Sequence, residues 1–127
     1  MPVDSSIKKL LIVDDSKVSR MLIRAHILAL HPEWIISEAV CGADAIALID
    51  NDLHDYCTMD INMPGISGTD AAELILSKHP SIKVVIFSAN IQETHQNRAR
   101  SLGTILVAKP VTEKSIALTL NYFADPK

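Results

Sequence analysis

The sequence predicts one α/β domain over residues 1–127, with a parallel sheet covered by helices on both faces. Three observations support this fold class. The length of 127 residues suffices for one hydrophobic core but not for two. Hydrophobic residues make up 48% of the chain and aromatic residues only 4%, which predicts a core built mainly from Leu, Ile, Val and Ala. Finally, five short apolar runs alternate with segments of helical periodicity, as in repeated strand-helix units.

The apolar runs are the predicted strands. They cover Ile7 to Val13, Trp34 to Ala39, Tyr56 to Met59, Lys83 to Phe87 and Thr104 to Ala108. Consecutive parallel strands need crossover connections, and the intervening segments have helical spacing, so a doubly wound sheet is expected. Five strand-helix units match the order 2-1-3-4-5 of flavodoxin-like sheets.

Apolar stripes and end signals identify the helices between the strands. The first helix starts after Ser16, which has the side chain of an N-cap, and the His31-Pro32 step ends it. The second covers Ala43 to Ile49, and Gly103 ends the fourth. The stripes expected to be buried are Val18, Leu22, Ala25 and Leu28 in the first helix, Ala71, Leu74 and Ile75 in the third, Ile91, His95, Ala99 and Leu102 in the fourth, and Ile116, Leu120 and Phe123 in the fifth.

Charge and cysteine content disfavour several classes of protein. The net charge is −3 and no run of five like charges occurs, which disfavours a nucleic-acid-binding face. The two cysteines form no CxxC motif and the five histidines are scattered, so we interpret them as small buried thiols and surface imidazoles in the reducing cytoplasm. The sequence shows neither a signal peptide nor a membrane span.

Polar residues follow four of the five strands, at the edge where ligands bind in doubly wound sheets. Asp14 and Asp15 follow the first strand, Asp60 the third, Ser88 the fourth and Lys109 the fifth. Three carboxylates on one rim favour a hard cation, Mg²⁺ or alternatively Mn²⁺ or Ca²⁺, over zinc. The cation and the lysine would neutralise an incoming phosphoryl group, the serine would bond one of its oxygens, and a carboxylate can be the nucleophile that forms an aspartyl phosphate.

Each of these residues also has a simpler interpretation when taken alone. An aspartate after a strand is commonly a helix cap or a turn former, Ser88 a loop hydroxyl and Lys109 a solvated lysine. The agreement of four strand ends favours the functional interpretation.

Four motifs in order, LLIVDDS, MDINMPGISG, VIFSA and AKP, resemble the receiver domain of two-component response regulators, the CheY-like family. The resemblance spans nearly the whole chain. It implies that Asp60 is the phosphoacceptor, that Asp15 binds Mg²⁺ directly and that Asp14 acts mostly through a bound water. The backbone carbonyl of Asn62 would be a further metal ligand.

The resemblance also implies a switch. Ser88 would be the switch hydroxyl and Lys109 the phosphate-contacting lysine, followed by Pro110 after a bond that is often cis in this family. Phosphorylation would remodel the face formed by the fourth helix, fifth strand and fifth helix. Leu106 replaces the family's aromatic residue there, so we expect signalling through backbone or leucine repacking. Asn90 and the residue two positions after the acceptor are neither acids nor bases. This predicts self-dephosphorylation at an intermediate rate.

The implied partners are a sensor histidine kinase or a histidine phosphotransfer protein, and a downstream protein of unknown identity. Nucleic acid and membrane are not expected partners. The domain would assist its own phosphorylation and dephosphorylation without being an enzyme, as a monomer or a phosphorylation-dependent dimer. We expect a stand-alone receiver without an output domain, with a fragment of a longer regulator as the alternative.

Three other functions were weighed against the receiver function. A phosphorylation-independent binding scaffold of receiver fold remains an alternative. An aspartyl phosphohydrolase is disfavoured because Asn62 stands where such enzymes usually carry a second acid. A flavodoxin-type cofactor binder is disfavoured because the turn DDSK is acidic and lacks the cradle that a phosphate needs.

Overall fold

A computed structural model describes residues 7–125, and these form one five-stranded sheet flanked by five helices. The strands are β1 (Lys9–Val13), β2 (Ile35–Ala39), β3 (Tyr56–Asp60), β4 (Lys83–Ser88) and β5 (Ile105–Ala108). All of them pair in parallel, in the order β2-β1-β3-β4-β5. The predicted fold class and strand order are confirmed. Residues 1–6 and 126–127 of the predicted domain lie outside the described residues.

The helices are α1 (Lys17–Leu30), α2 (Gly42–Asn51), α3 (Gly68–Lys78), α4 (Glu93–Ser101) and α5 (Glu113–Ala124). Ser16 caps α1 as predicted, because its side chain accepts a hydrogen bond from the backbone N–H of Ser19. Gly103 follows α4 with a φ of +77°, a conformation that suits glycine at a helix end. Across residues 7–125, no helix has the length and hydropathy needed to cross a membrane.

The sheet separates two layers of buried side chains, because successive residues of a strand point to opposite faces. Leu10 and Ile12 of β1 pack with Ile23 of α1 and Phe123 of α5 on one face. The other face carries the cluster under α2, α3 and α4, to which Leu11, Val13, Ala45, Ala71, Ile75 and Ala99 contribute. Helices on both faces bury the sheet on each side, as predicted.

The buried stripe of α1 was predicted wrongly. Val18 is 66% exposed and Leu22 is 42% exposed, whereas Ile23 and Ile27 are the buried residues. Apolar residues lie on two sides of this helix, so periodicity alone does not decide which side faces the sheet. Contacts of Arg20 with β2 accompany the observed orientation.

Three other burial predictions were also wrong. Leu74 of α3 is 46% exposed, and Ile91 lies before α4 and is 51% exposed. His54, expected at the surface, is buried, and its Nδ1 lies 2.7 Å from the carbonyl oxygen of Asp52. A backbone carbonyl therefore supplies the polar partner that a buried imidazole needs.

Backbone hydrogen bonds continue the sheet beyond the strand ends and thereby fix its carboxyl edge. The N–H of Asp14 donates to the carbonyl of Ala39, and the N–H of Lys109 donates to the carbonyl of Ser88. Asp60 stands opposite Phe87 in the register of β3 and β4. The residues predicted to form a site therefore sit at strand ends or directly after them, where backbone hydrogen bonds still hold the chain.

We predict that Thr58→Val stabilises the protein. Thr58 lies in the middle of the sheet between Ile12 and Val85, and within residues 7–125 its buried hydroxyl has no hydrogen-bond partner. Removing an unpaired buried hydroxyl should raise the free energy of unfolding by about 1 kcal/mol. Urea unfolding of the two proteins measures this difference.

Thr119→Val is the matched control. Thr119 is equally buried, but its hydroxyl donates to the carbonyl of Ser115 at 2.9 Å. This variant should gain no stability, because it loses a hydrogen bond. An equal gain in both variants would contradict the assignment of the effect to the unpaired hydroxyl.

Candidate functional site

Three carboxylates meet at the carboxyl edge of the sheet. Asp14 and Asp15 follow β1, Asp60 ends the adjacent β3, and one carboxylate oxygen from each lies within 4.8 Å of the others. Asp14 and Asp60 are buried, whereas Asp15 is exposed to solvent. We call these three residues the acidic cluster. The parallel register of β1 and β3 is what brings residues 45 positions apart in sequence together.

The side chain of Lys109 reaches this cluster from the end of β5. Its Nζ lies 2.9 Å from Oδ2 of Asp14 and 3.4 Å from Oδ1 of Asp60. Burial lowers the pKa of Lys109, but the hydrogen bond to Asp14 and the charge of Asp60 outweigh burial and raise it overall. The lysine is therefore a fixed positive charge between two buried carboxylates.

Ionisation of the Asp60 carboxyl group is energetically unfavourable in the folded protein. Burial is the largest effect that raises its pKa, and the negative charge of Asp14 raises it further. Lys109 offsets these effects only in part, so the pKa stays above the ordinary value. An additional positive charge near the cluster would relieve this repulsion.

The donor set of the cluster fits a hard divalent cation. All of its donors are carboxylate oxygens, which Mg²⁺ and Mn²⁺ prefer, and no described cysteine or histidine joins the group that could hold a metal. Oδ1 of Asp14 accepts a hydrogen bond from the N–H of Ser16 at 2.8 Å, and Oδ2 faces Lys109. Asp15 is the carboxylate most open to a cation from solvent. The carbonyl of Asn62, an exposed residue that follows β3, stays a predicted ligand.

Ser88 ends β4, the strand between those that carry Asp60 and Lys109. The side chain is fully buried, and its Oγ accepts a hydrogen bond from the N–H of Asn90 at 2.9 Å. Oδ1 of Asn90 in turn accepts from the N–H of Gln92, next to α4. These bonds connect the Ser88 hydroxyl to the loop that leads into α4.

Gly68 holds the loop after β3 close to the phosphoacceptor candidate, a role that the sequence did not predict. Its N–H donates to the carbonyl of Ile61 at 2.9 Å. A Cβ at this position would lie 1.8 Å from the carbonyl oxygen of Asp60, so only glycine fits. The signal in the sequence was a glycine directly before an apolar helical stripe, which is also consistent with an ordinary turn.

Leu106 of β5 is half-buried and packs against the layer under α4. The neighbouring α4 has one fully buried side chain, Ala99. Arg98 ties α4 to α3, because its Nη2 lies 3.0 Å from Asp70 and 2.8 Å from Glu73. The helix is thus held by one small apolar contact and by exposed ion pairs.

The peptide bond between Lys109 and Pro110 is cis, as the resemblance to the family implies. A family model described as response regulator receiver domain matches residues 10–121. The chain belongs to this family. It is a CheY-like receiver domain of two-component signalling.

Relatives of this receiver domain include both short and long proteins. The chemotaxis protein CheY of Thermotoga maritima is 31% identical over 115 residues, which cover 90% of this chain and 95% of that protein. The transcriptional regulatory protein DegU of Brevibacillus brevis is 28% identical over 96 residues, which cover 75% of this chain. The chain spans only 40% of the length of that relative.

A solved structure with the same fold comes from Borrelia burgdorferi. It is described as the CheX-CheY-BeF3-Mg+2 complex, with 26% identity and a TM-score of 0.80. The match covers 92% of this receiver domain and 90% of that chain. The likeness extends over the whole sheet and its helices.

We predict that Asp60→Asn is more stable than the wild-type receiver domain at pH 7 in chelated buffer. The folded carboxyl group has a higher pKa than the unfolded one, so its ionisation costs stability. That cost is absent below the unfolded pKa of about 3.9 and develops as the pH rises through the folded value. Thermal unfolding at pH 7 should show a midpoint about 3 °C higher for the variant.

The same measurement towards acid pH is the control. The two midpoints should converge as the pH approaches the ordinary aspartate pKa, because both side chains are then neutral. A variant that is less stable than wild type at pH 7 would contradict the electrostatic assignment.

We predict that Gly68→Ala disturbs the position of Asp60. The added methyl group must displace the carbonyl of Asp60 or the start of α3, at a cost of about 1 to 3 kcal/mol. Urea unfolding measures this cost. Phosphorylation by acetyl phosphate should slow by at least about tenfold, because a displacement near 1 Å suffices for such losses.

Gly42→Ala is the matched variant. Its Cβ would lie 2.9 Å from the Cβ of Ala71 and 3.1 Å from Cγ1 of Ile66, and its three nearest neighbours include no atom of the acidic cluster. It should lose stability but keep the phosphorylation rate of the wild type. Equal rate losses in both variants would indicate a general effect of overpacking.

Proposed function

We propose that this receiver domain accepts a phosphoryl group on Asp60, in a Mg²⁺-dependent reaction, and thereby changes its affinity for a partner protein. One observation carries the proposal. The buried carboxylate of Asp60 lies beside the ammonium group of Lys109 and next to two further carboxylates that can hold a divalent cation with it. A nucleophile that has a positive charge beside it and shares a cation site is suited to the transfer of a phosphoryl group.

The metal would be held by Asp15 and Asp60 directly, by Asp14 mostly through water, and by the carbonyl of Asn62. Mg²⁺, when bound there, would neutralise charge on the phosphoryl oxygens. Mn²⁺ offers a similar oxygen preference. The oxygen-only donors of the acidic cluster support this assignment.

A carboxylate oxygen of Asp60 would attack the phosphorus atom of a phosphohistidine. The new bond is the P–O bond of an aspartyl phosphate, and the bond that breaks is the P–N bond to the donor imidazole, whose nitrogen keeps the electron pair. Lys109, already 3.4 Å from Asp60, would contact a phosphoryl oxygen, and Ser88 would donate a hydrogen bond to another. The domain would thus assist its own phosphorylation. It would also assist the hydrolysis of the aspartyl phosphate, in which water attacks the phosphorus atom and the bond to Asp60 breaks to give inorganic phosphate and the free carboxylate, without turning over a separate substrate.

Phosphorylation would act on the partner face through Ser88. Turning its hydroxyl towards the phosphoryl group would compete with the hydrogen bond from the N–H of Asn90. Loss of that hydrogen bond would release the loop before α4. Leu106 would then repack beneath α4, since no aromatic side chain occupies its position. The face formed by α4, β5 and α5 is the proposed partner surface.

The donor would be a sensor histidine kinase or a histidine phosphotransfer protein, because receiver domains interact with proteins of these classes. We also propose a cytoplasmic stand-alone domain that is monomeric or dimerises on phosphorylation. A receiver-fold scaffold that binds partners without phosphorylation is the second candidate. The full set of three carboxylates, Ser88 and Lys109 favours the first.

Intact-mass analysis after incubation with Mg²⁺ and acetyl phosphate tests the proposal. The wild-type domain should gain the mass of one phosphoryl group, because Asp60 is the acceptor. Asp60→Asn should gain none, and a chelator should abolish the gain in the wild type.

Asp44→Asn is the matched control, since Asp44 is an exposed carboxylate on α2 outside the acidic cluster. It should be phosphorylated like the wild type. No mass gain in any folded protein would support the scaffold function instead.

A further inference from the structure

The side chain of Arg20 joins three elements at the edge of the acidic cluster. Its Nη1 donates to the carbonyl oxygen of Asp14 at 2.7 Å, and its Nε lies 2.8 Å from Oε1 of Glu38 on β2. The side chain is only 13% exposed although it projects from a surface helix. Arg24, one turn later, lies 3.1 Å from the other carboxylate oxygen of Glu38.

The hydrogen bond to the Asp14 carbonyl acts on Asp15 as well. This carbonyl belongs to the planar peptide unit whose other end is the nitrogen and Cα of Asp15. Within residues 7–125, the Asp15 side chain itself forms no hydrogen bond or ion pair, and it is exposed. The orientation of its carboxylate therefore depends on how the backbone before it is held.

We propose that Arg20 is a positioning residue for divalent-cation binding at the acidic cluster. By holding the Asp14 carbonyl, it fixes the peptide plane that directs Asp15 towards Asp60, and Glu38 orients the guanidinium group. The inference rests on the proposed function, because it concerns the Mg²⁺ site of the receiver domain. Residues that orient metal ligands in this way commonly change metal affinity by an order of magnitude or more.

Charge alone predicts the opposite effect. Arg20 is a cation close to a cation site, so its removal should strengthen Mg²⁺ binding if electrostatic repulsion dominates. A positioning role predicts weaker binding on removal. The sign of the change in affinity therefore separates the two effects.

Calorimetric titration of the full chain with Mg²⁺ tests the inference. Arg20→Met should raise the Kd for Mg²⁺ about tenfold. Arg24→Met is the matched control, since it removes the same charge and a contact with the same glutamate but touches no residue of the cluster. Its Kd should be unchanged or lower. Arg20→Lys should be intermediate, because an ammonium group cannot reproduce both bonds of the guanidinium fork.

Glu38→Gln provides a second variant that leaves Arg20 in place. It should raise the Kd less than Arg20→Met does, because the guanidinium loses its orienting partner but keeps its bond to the carbonyl. Arg20→Lys decides the question if Arg20→Met does not fold, because it keeps the positive charge, whereas the loss of the Glu38 charge would weaken cation binding by electrostatics alone. Thermal unfolding in chelated buffer verifies that each variant compared is folded.

The dependence of the phosphorylation rate on Mg²⁺ is an independent readout. With acetyl phosphate as donor, Arg20→Met should need about tenfold more Mg²⁺ for half-maximal rate and reach the wild-type rate at saturation. Unchanged or tighter Mg²⁺ binding by folded Arg20→Met, or by Arg20→Lys if the former is unfolded, would overturn this inference but not the proposed function. Absence of Mg²⁺ binding by the wild type would overturn the proposed function as well.

Discussion

The ammonium group of Lys109 makes it possible to bury two carboxylates side by side at the edge of this sheet. Without it, Asp14 and Asp60 would repel each other in a poorly solvated environment, and the pKa of Asp60 is raised even with the lysine present. The lysine comes from β5, two strands from the end of β3, so its reach depends on the order and register of the whole sheet. The balance of charge at the acidic cluster therefore depends on the fold of the whole sheet.

Contacts to backbone carbonyls also keep this arrangement in place. Gly68 lets the loop after β3 approach the Asp60 carbonyl, and Arg20 holds the Asp14 carbonyl from the other side. Each contact involves the backbone carbonyl of an aspartate rather than its carboxylate. Such contacts fix the backbone position of an aspartate and leave its carboxylate oxygens available for chemistry. In protein sites, the groups that orient a ligand are commonly distinct from the ligand atoms themselves.

The strands, their order and the residues at their carboxyl ends could be predicted because each rests on a local pattern. Apolar runs mark the strands, and parallel topology then determines which residues share an edge. The orientation of α1 could not be predicted this way, because Ile23 and Val18 lie on opposite sides of a helix that is apolar on both. The contacts of Arg20 and the steric role of Gly68 join residues that belong to different elements, and the periodicity within one element carries no information about them.

The weak attachment of α4 has a thermodynamic consequence. Ala99 is its one fully buried side chain, and Arg98 holds it to α3 through ion pairs near the surface. A shift of α4 that leaves the apolar side chains of the sheet beneath it covered would uncover very little apolar surface, and the heat-capacity change of a conformational transition follows mainly from the apolar surface exposed. A shift of this kind should therefore have an enthalpy that is nearly constant with temperature. Its free energy should vary almost linearly with temperature, without the curvature that characterises unfolding of the whole domain.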